Sequence, residues 1–232
     1  MNILAAFTGQ NQFEPQMRAP KQRMCGAATL AMAYRKCGLN ASQEEIWKSV
    51  AHCYNGYYRA HTHHLAQDAI ARGLSAAIIQ THKPWETLEA CWRNNISVVV
   101  NHRLNHDSNE GHYSLFAGFR EDQVRLHDPL LGPNVEMTRE QMQKLWLPSS
   151  PDSEIAGNVL IAISDRDSEP AVWSHCNQIF EDAVVCSNCN HNVSLKPVHS
   201  LGCTQENCKQ RLWWRIFCPS CDHPIQSLAI GN

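Results

Sequence analysis

The sequence predicts an α+β domain followed by a small cysteine-rich module of the zinc-ribbon type, and three observations carry that prediction. Helix-forming periodicity and capping patterns occupy residues 25 to 73, while β-branched and alternating runs dominate residues 76 to 164. Helices first and a mostly antiparallel sheet afterwards describe the α+β class. The 11 cysteines are split unevenly, with Cys25, Cys37, Cys53 and Cys91 early and the rest between Cys176 and Cys221. Between the groups, Asp165-Arg166-Asp167-Ser168-Glu169-Pro170 has no apolar periodicity and ends in proline, which makes it the expected linker between units at residues 1–166 and 171–232.

Ala28, Leu30, Ala31, Met32, Ala33 and Tyr34 make residues 25–36 a helix that is apolar almost all round and therefore buried, and Gly38 stops it. Ser42-Gln43-Glu44-Glu45 is a capping box ahead of Ile46 and Trp47. Thr62 is the expected cap of a third helix, closed by Gly73. Residues 76–80 and 96–101 read as strands, the second with Val98-Val99-Val100 as a buried run, and Pro84 opens a short helix between them. Residues 113–119 and 123–127 form a hairpin about Glu121-Asp122, Thr138-Arg139-Glu140-Gln141 caps a further helix, and residues 158–164 are one more core strand.

Charge and hydropathy narrow the partners. With 20 Lys and Arg against 22 Asp and Glu, the formal charge of −2 gives no general attraction to nucleic acid or to an anionic membrane. No apolar run reaches the ~18–20 residues that span a bilayer, and Met1 to Thr8 lacks the basic start and long apolar stretch of a secretory signal. A soluble, cytoplasmic protein is expected, in a compartment where thiols serve metals or catalysis instead of disulfides.

Cys25 opens the first helix, Gly111-His112-Tyr113-Ser114 begins a strand, and His127-Asp128-Pro129 ends the neighbouring one. A free thiol with a pKa of about 8.5 is mostly protonated at neutral pH, so a nucleophilic cysteine needs help. The helix N-terminus and a nearby histidine both supply it, and a carboxylate across the hairpin fixes the imidazole's tautomer and orientation. Gly26 lets backbone and substrate approach closely. The other candidates have blander readings. Cys37, Cys53 and Cys91 read as core thiols. His102, His106 and Asp107 read as a polar turn, from which one histidine could replace His112 as base. His61, His63 and His64 read as solvent-facing at a helix start, and His127 should point to the sheet face opposite Asp128.

In the C-terminal stretch, Cys186-Ser187-Asn188-Cys189 and Cys218-Pro219-Ser220-Cys221 are paired CxxC knuckles that can face each other as a closed tetrahedral Zn²⁺ site. So short a module has little core, and metal would supply much of its stability. Cys203 and Cys208 either complete a second zinc site with His191, His199 or Cys176, or are loop thiols. One zinc on the outer four cysteines is the favoured reading over a disulfide framework, a redox CxxC or an iron centre. Lys209, Arg211 and Arg215 around Trp213 and Trp214 could stack on nucleic acid, but balanced local charge favours a strand packing its tryptophans against the knuckles.

Cys25-Gly26-Ala27-Ala28 opening an apolar helix that ends near Gly38, the Gly111-His112-Tyr113 strand, and Asp128-Pro129 followed by Gly132 resemble the papain-like cysteine peptidases. Within them the resemblance is closest to the bacteriocin-processing (double-glycine leader) peptidase-like family, peptidase family C thirty-nine, and it covers about residues 16–164. It implies a papain-like fold with Cys25 as nucleophile, His112 as general base and acid, and Asp128 as orienting group. The family's oxyanion-hole glutamine usually lies about six positions before the cysteine. Here Ala19 stands there, and Gln22 is the residue expected in the role, with Gln16 further away. The expected function is thiol-dependent cleavage of a peptide or isopeptide bond in a peptide or protein substrate, with the ribbon recruiting or orienting it. Two other functions fit the same residues: acyl transfer to an amine, and an inactive papain-like domain serving with the ribbon as an adaptor, which the displaced glutamine favours.

Overall fold

The computed structural model describes residues 13–165, 183–203 and 208–226. Its first elements are β1 (Gln22–Arg23), α1 (Cys25–Lys36), α2 (Gln43–Val50), β2 (Ala51–Tyr54), β3 (Tyr57–Ala60) and α3 (Thr62–Ala71). Every residue of α1 from Cys25 to Tyr34 is buried, which is why the helix is rich in alanine and lacks a polar stripe. The capping box of α2 is formed: Ser42 Oγ accepts from Glu45 N at 3.2 Å while Ser42 N donates to Glu45 Oε2 at 2.9 Å. Thr62 does not cap α3. It is the first helical residue, and its hydroxyl instead bonds Tyr113 Oη at 2.9 Å, tying the helix start to the sheet.

The chain continues through β4 (Ser75–Thr81), α4 (Pro84–Arg93), β5 (Ser97–Arg103), β6 (Gly111–Arg120), β7 (Gln123–Asp128), β8 (Gly132–Thr138), α5 (Arg139–Trp146) and β9 (Val159–Ser164). Beyond these lie β10 (Ala183–Val185), β11 (Asn192–Ser194), α6 (Lys196–His199), β12 (Trp213–Phe217) and β13 (Pro224–Gln226). An antiparallel 8-stranded sheet runs in the order β13-β12-β4-β9-β5-β6-β7-β8. Side chains alternate between its faces. Ile78, Val99, Leu115 and Ile161 pack under α1, α2 and α3, whereas Ile79, Val98, Val100, Phe116 and Leu160 pack against Leu88 of α4 and Met142 and Trp146 of α5. Two covered faces explain why β5 and β9 read as unbroken apolar runs. Each fully buried Leu, Ile or Val contributes about 1.5–3 kcal/mol of transfer free energy.

The boundary expected near residue 166 falls outside the described residues. Past it the chain rejoins the same sheet: β12 pairs with β4, and Val193, Leu195, Val198, Leu201, Trp213 and Ile216 share the core of α4 and α5. The β2–β3 hairpin was not expected. Its turn, Asn55-Gly56, has φ of 50° and 78°, the dipeptide signature of a tight hairpin, but the flanking residues are mostly exposed and lack apolar alternation. Among the described residues no helix is long and apolar enough to cross a membrane.

Candidate active site

Cys25 is the first residue of α1 and lies buried beneath the N-terminus of the helix, with no acidic side chain in the first turn to oppose a thiolate. Thr29, one turn on, donates from its hydroxyl to Tyr113 O at 3.0 Å, which pins this end of α1 to β6. Gly26 serves packing here: a Cβ at that position would sit 3.1 Å from Leu65 and 3.3 Å from the Cβ of Ala60, so glycine lets α1 close on α3 and β3.

His112 on β6 and Asp128 at the end of β7 are both buried, and His112 Nε2 lies 2.9 Å from Asp128 Oδ1. The two are not directly opposed. Leu115 pairs with His127, so the register sets Ser114 across from Asp128 and His112 reaches the carboxylate diagonally, within the span of a long side chain. Asp128 is held on every side: Leu130 N and Leu131 N donate to Oδ1 at 2.8 and 3.0 Å, and Ser114 Oγ donates to Oδ2 at 3.2 Å. With Nε2 engaged by the acid, Nδ1 is the ring nitrogen left for the sulfur of Cys25, with which His112 is hydrogen-bonded.

Burial alone would raise the thiol of Cys25, but the charge and hydrogen bond of His112 overcome it and hold the thiol below its ordinary value. Burial would likewise lower His112, and the combined pull of Cys25 and Asp128 instead pushes it up to about 10. Against its own burial, the bond to His112 and the two backbone donors bring Asp128 down to about 2. Each shift favours the charged form of its group: thiolate, imidazolium and carboxylate.

His102 belongs to β5 instead of the expected turn. It is buried, with Nδ1 2.8 Å from Arg103 O and Nε2 2.9 Å from Ser114 Oγ, and burial lowers it to about 4. It buttresses Ser114. His102, His112 and Asp128 lie close enough to share an ion, but the His112–Asp128 bond and the Ser114 hydroxyl lying between His102 and Asp128 account for that closeness. His106 and Asp107 stay in an exposed turn. His127 lies on the opposite face from Asp128, where its ring meets Phe13 edge-on. Cys91 is core and Cys37 half-buried, but Cys53, on the solvent side of β2, is exposed. His61, His63 and His64 are half-buried, not solvent-facing, because His52 of β2 stacks on His64 with ring centroids 4.1 Å apart. Gln22, on β1, is exposed and accepts from Trp47 Nε1 at 2.8 Å through its side-chain oxygen. It is not among the residues lining the cavity beside Cys25.

That cavity, of about 220 Å³, runs over the sheet beneath the starts of α1 and α3. Its lining includes Asn101 and Tyr113 of the sheet, the ion cluster Arg23–Glu154–Arg59, and from the C-terminal stretch Phe217 and Asp222.

Cys186, Cys189, Cys218 and Cys221 converge, their sulfurs all within 4.8 Å of one another. Cys186 to Cys221 is 3.7 Å and Cys189 to Cys218 is 3.6 Å, close to the edge of about 3.8 Å of a tetrahedron with metal–sulfur bonds of about 2.3 Å. The knuckles have one design: Cys186 N donates to His191 O and Cys218 N to His223 O, while Asn190 and Asp222 take positive φ just after the second cysteine. All four are free thiols, so the donor set fits zinc. Cys203 and Cys208 stand outside this cluster, and Cys176 lies outside the described residues.

No curated protein matches the chain. Among solved structures, similarity extends to the peptidase domain of Streptococcus ComA, a bi-functional ABC transporter (18% identity, 66% of this chain and 97% of that one, TM-score 0.48). It extends also to a C39-like peptidase from Bacillus anthracis (15% identity, 66% and 94%, TM-score 0.51) and to a double glycine motif protease from an AMS/PCAT transporter in complex with its leader peptide (18% identity, 65% and 89%, TM-score 0.45). The Bacillus anthracis structure shares the fold, a mixed α/β domain with an antiparallel sheet. The description of the Peptidase_C39 like family matches residues 6–153, more than half of the chain, and the protein therefore belongs to that family.

Proposed function

We propose that the protein is a cysteine peptidase that cleaves a peptide or isopeptide bond through Cys25, His112 and Asp128. The observation that carries this reading is the buried imidazole bonded on one side to a thiol at a helix N-terminus and on the other to a fully engaged carboxylate. The thiolate sulfur attacks the scissile carbonyl carbon, and His112 passes its proton to the leaving amine, leaving a thioester on Cys25. His112, now neutral, takes a proton from water, whose hydroxide displaces the sulfur and restores the thiolate–imidazolium pair. Asp128 keeps the tautomer and never needs to accept the proton. For the oxyanion, the backbone N–H at the start of α1 is the best supported donor. Gln22 would join it only after its side chain turns from Trp47 toward the cavity.

Cys186, Cys189, Cys218 and Cys221 would hold one zinc ion, which supplies a structural crosslink and no chemistry to the reaction. The C-terminal stretch would thereby act as a substrate-binding wall. The cytoplasm, whose reducing conditions preserve thiols, suits both sites.

The test is selective alkylation. At neutral pH an iodoacetamide label located by mass spectrometry should fall first on Cys25, and His112→Ala should slow that labelling by about tenfold or more. Slow, equal labelling of several cysteines would favour the adaptor, the reading that Gln22's engagement with Trp47 supports. Mass analysis of products in the presence of an added amine separates hydrolysis from acyl transfer.

A further inference from the structure

We propose that Phe217 and Asp222, which bracket the second cysteine knuckle, determine the specificity of the cleft and select peptides with a basic side chain beside the scissile bond. The inference rests on the peptidase reading and names its substrate class. Both residues lie beyond residues 6–153, so the family's own part of the chain does not contain this wall, yet both line the cavity that holds Cys25.

Their placement follows from the backbone. In β12, Phe217 pairs with Ile78 of β4, and these two residues line the cleft. Its neighbour Ile216 turns to the other face, in the core of α4 and α5, as strand alternation requires. Asp222 closes the knuckle in the left-handed region, with φ of 60° and its N–H donating to Cys218 O at 2.9 Å.

Charge then names the ligand. The cleft's guanidiniums are already answered: Arg23 meets Glu154 and Glu110 at 2.9 Å each, and Arg59 also pairs with Glu154. Among the described residues the ion-pair partner of Asp222 is an imidazole, His63, at 3.7 Å. His61, which lines this end of the cleft, also acts on the charge of Asp222, and burial holds both imidazoles toward their neutral forms, so neither is a permanent cation for the carboxylate. A lysine or arginine side chain supplies one. Its methylene stem or guanidinium can lie on the ring of Phe217 while its charge meets Asp222.

Peptides identical except for Lys, Gln or Glu at the two positions on either side of the cleaved bond test this. The expected result is a kcat/KM at least about tenfold higher for Lys than for Gln at one of those positions, carried by KM, with Glu lowest. Asp222→Asn, a residue that tolerates the left-handed turn, should bring the Lys/Gln ratio close to one, and Phe217→Ala should reduce it. Zinc content and the rate of Cys25 alkylation report whether each variant keeps its fold. Equal rates for Lys and Gln, or a preference that survives in Asp222→Asn, would overturn the proposal while leaving the peptidase intact. If no peptide is cleaved, calorimetry of the same peptides with Cys25→Ala decides. Asp222-dependent tighter binding of the Lys peptide supports the wall without the peptidase, and indifferent binding rejects it.

Discussion

At the scale of the residue, the chemistry turns on which partner holds the proton between Cys25 and His112. The thiol is lowered and the imidazole raised to about 10, so the competent pair exists between the two titrations. The sign is fixed by that order. As pH rises, kcat/KM should climb when the pair loses its first proton, below the ordinary thiol range, and should fall as the imidazolium loses its own near 10. Asp128→Asn removes the charge that helps hold the imidazolium. Its falling limb should move to lower pH and kcat/KM should drop by about 10²–10⁴. A pH–rate profile with an unmoved falling limb would contradict the orienting role. The sequence made Cys25, His112 and Asp128 legible because their residue types and order are distinctive. It left Ser114 unread and put His102 in a polar turn, since a serine inside a strand and a histidine near its end acquire meaning only through the register that lays β5, β6 and β7 side by side.

At the scale of the element, the helix that carries Cys25 is packed among α2, α3 and the sheet, and a hydrogen bond aligns its start. Thr29 to Tyr113 is the buried hydrogen bond that stitches α1 to β6, and Thr62 to Tyr113 Oη does the same for α3. Thr29→Val preserves shape and deletes the donor. It should cost about 1–3 kcal/mol in urea denaturation and slow Cys25 alkylation through the loosened thiol–imidazole contact. Unchanged alkylation in a destabilised variant would mean that the site does not depend on this stitch. Capping boxes at Ser42 and Thr138 were readable because they are local, four-residue patterns. The cap assigned to Thr62 failed because its hydroxyl found a partner 51 residues away, which no local pattern encodes.

At the scale of the whole molecule, the C-terminal stretch covers the edge of β4 and completes the core of α4 and α5. The four-cysteine site is therefore tied to the stability of the entire sheet. Stripping zinc from the loaded protein with a chelator should lower Tm by at least about 5 °C, and the uncovered edge of β4 should promote self-association visible in light scattering. A chelated protein that melts unchanged and stays monomeric would show that the hairpins hold without metal.

By itself the sequence determined the helices and central strands of the N-terminal part, the buried character of α1, the thiol–imidazole–carboxylate set as candidates and the two CxxC knuckles. These depend on residue type and short spacing, which local physics reads directly. Only the tertiary structure decided that Phe217 and Asp222 enter the cleft of Cys25, that His102 and Ser114 support Asp128, and that Gln22 faces Trp47. Strand pairing across more than a hundred residues brought Phe217 and Asp222 to the cleft, strand register set His102 and Ser114 beside Asp128, and the energy that selects such pairing is the burial of two sheet faces together, a property of no single segment.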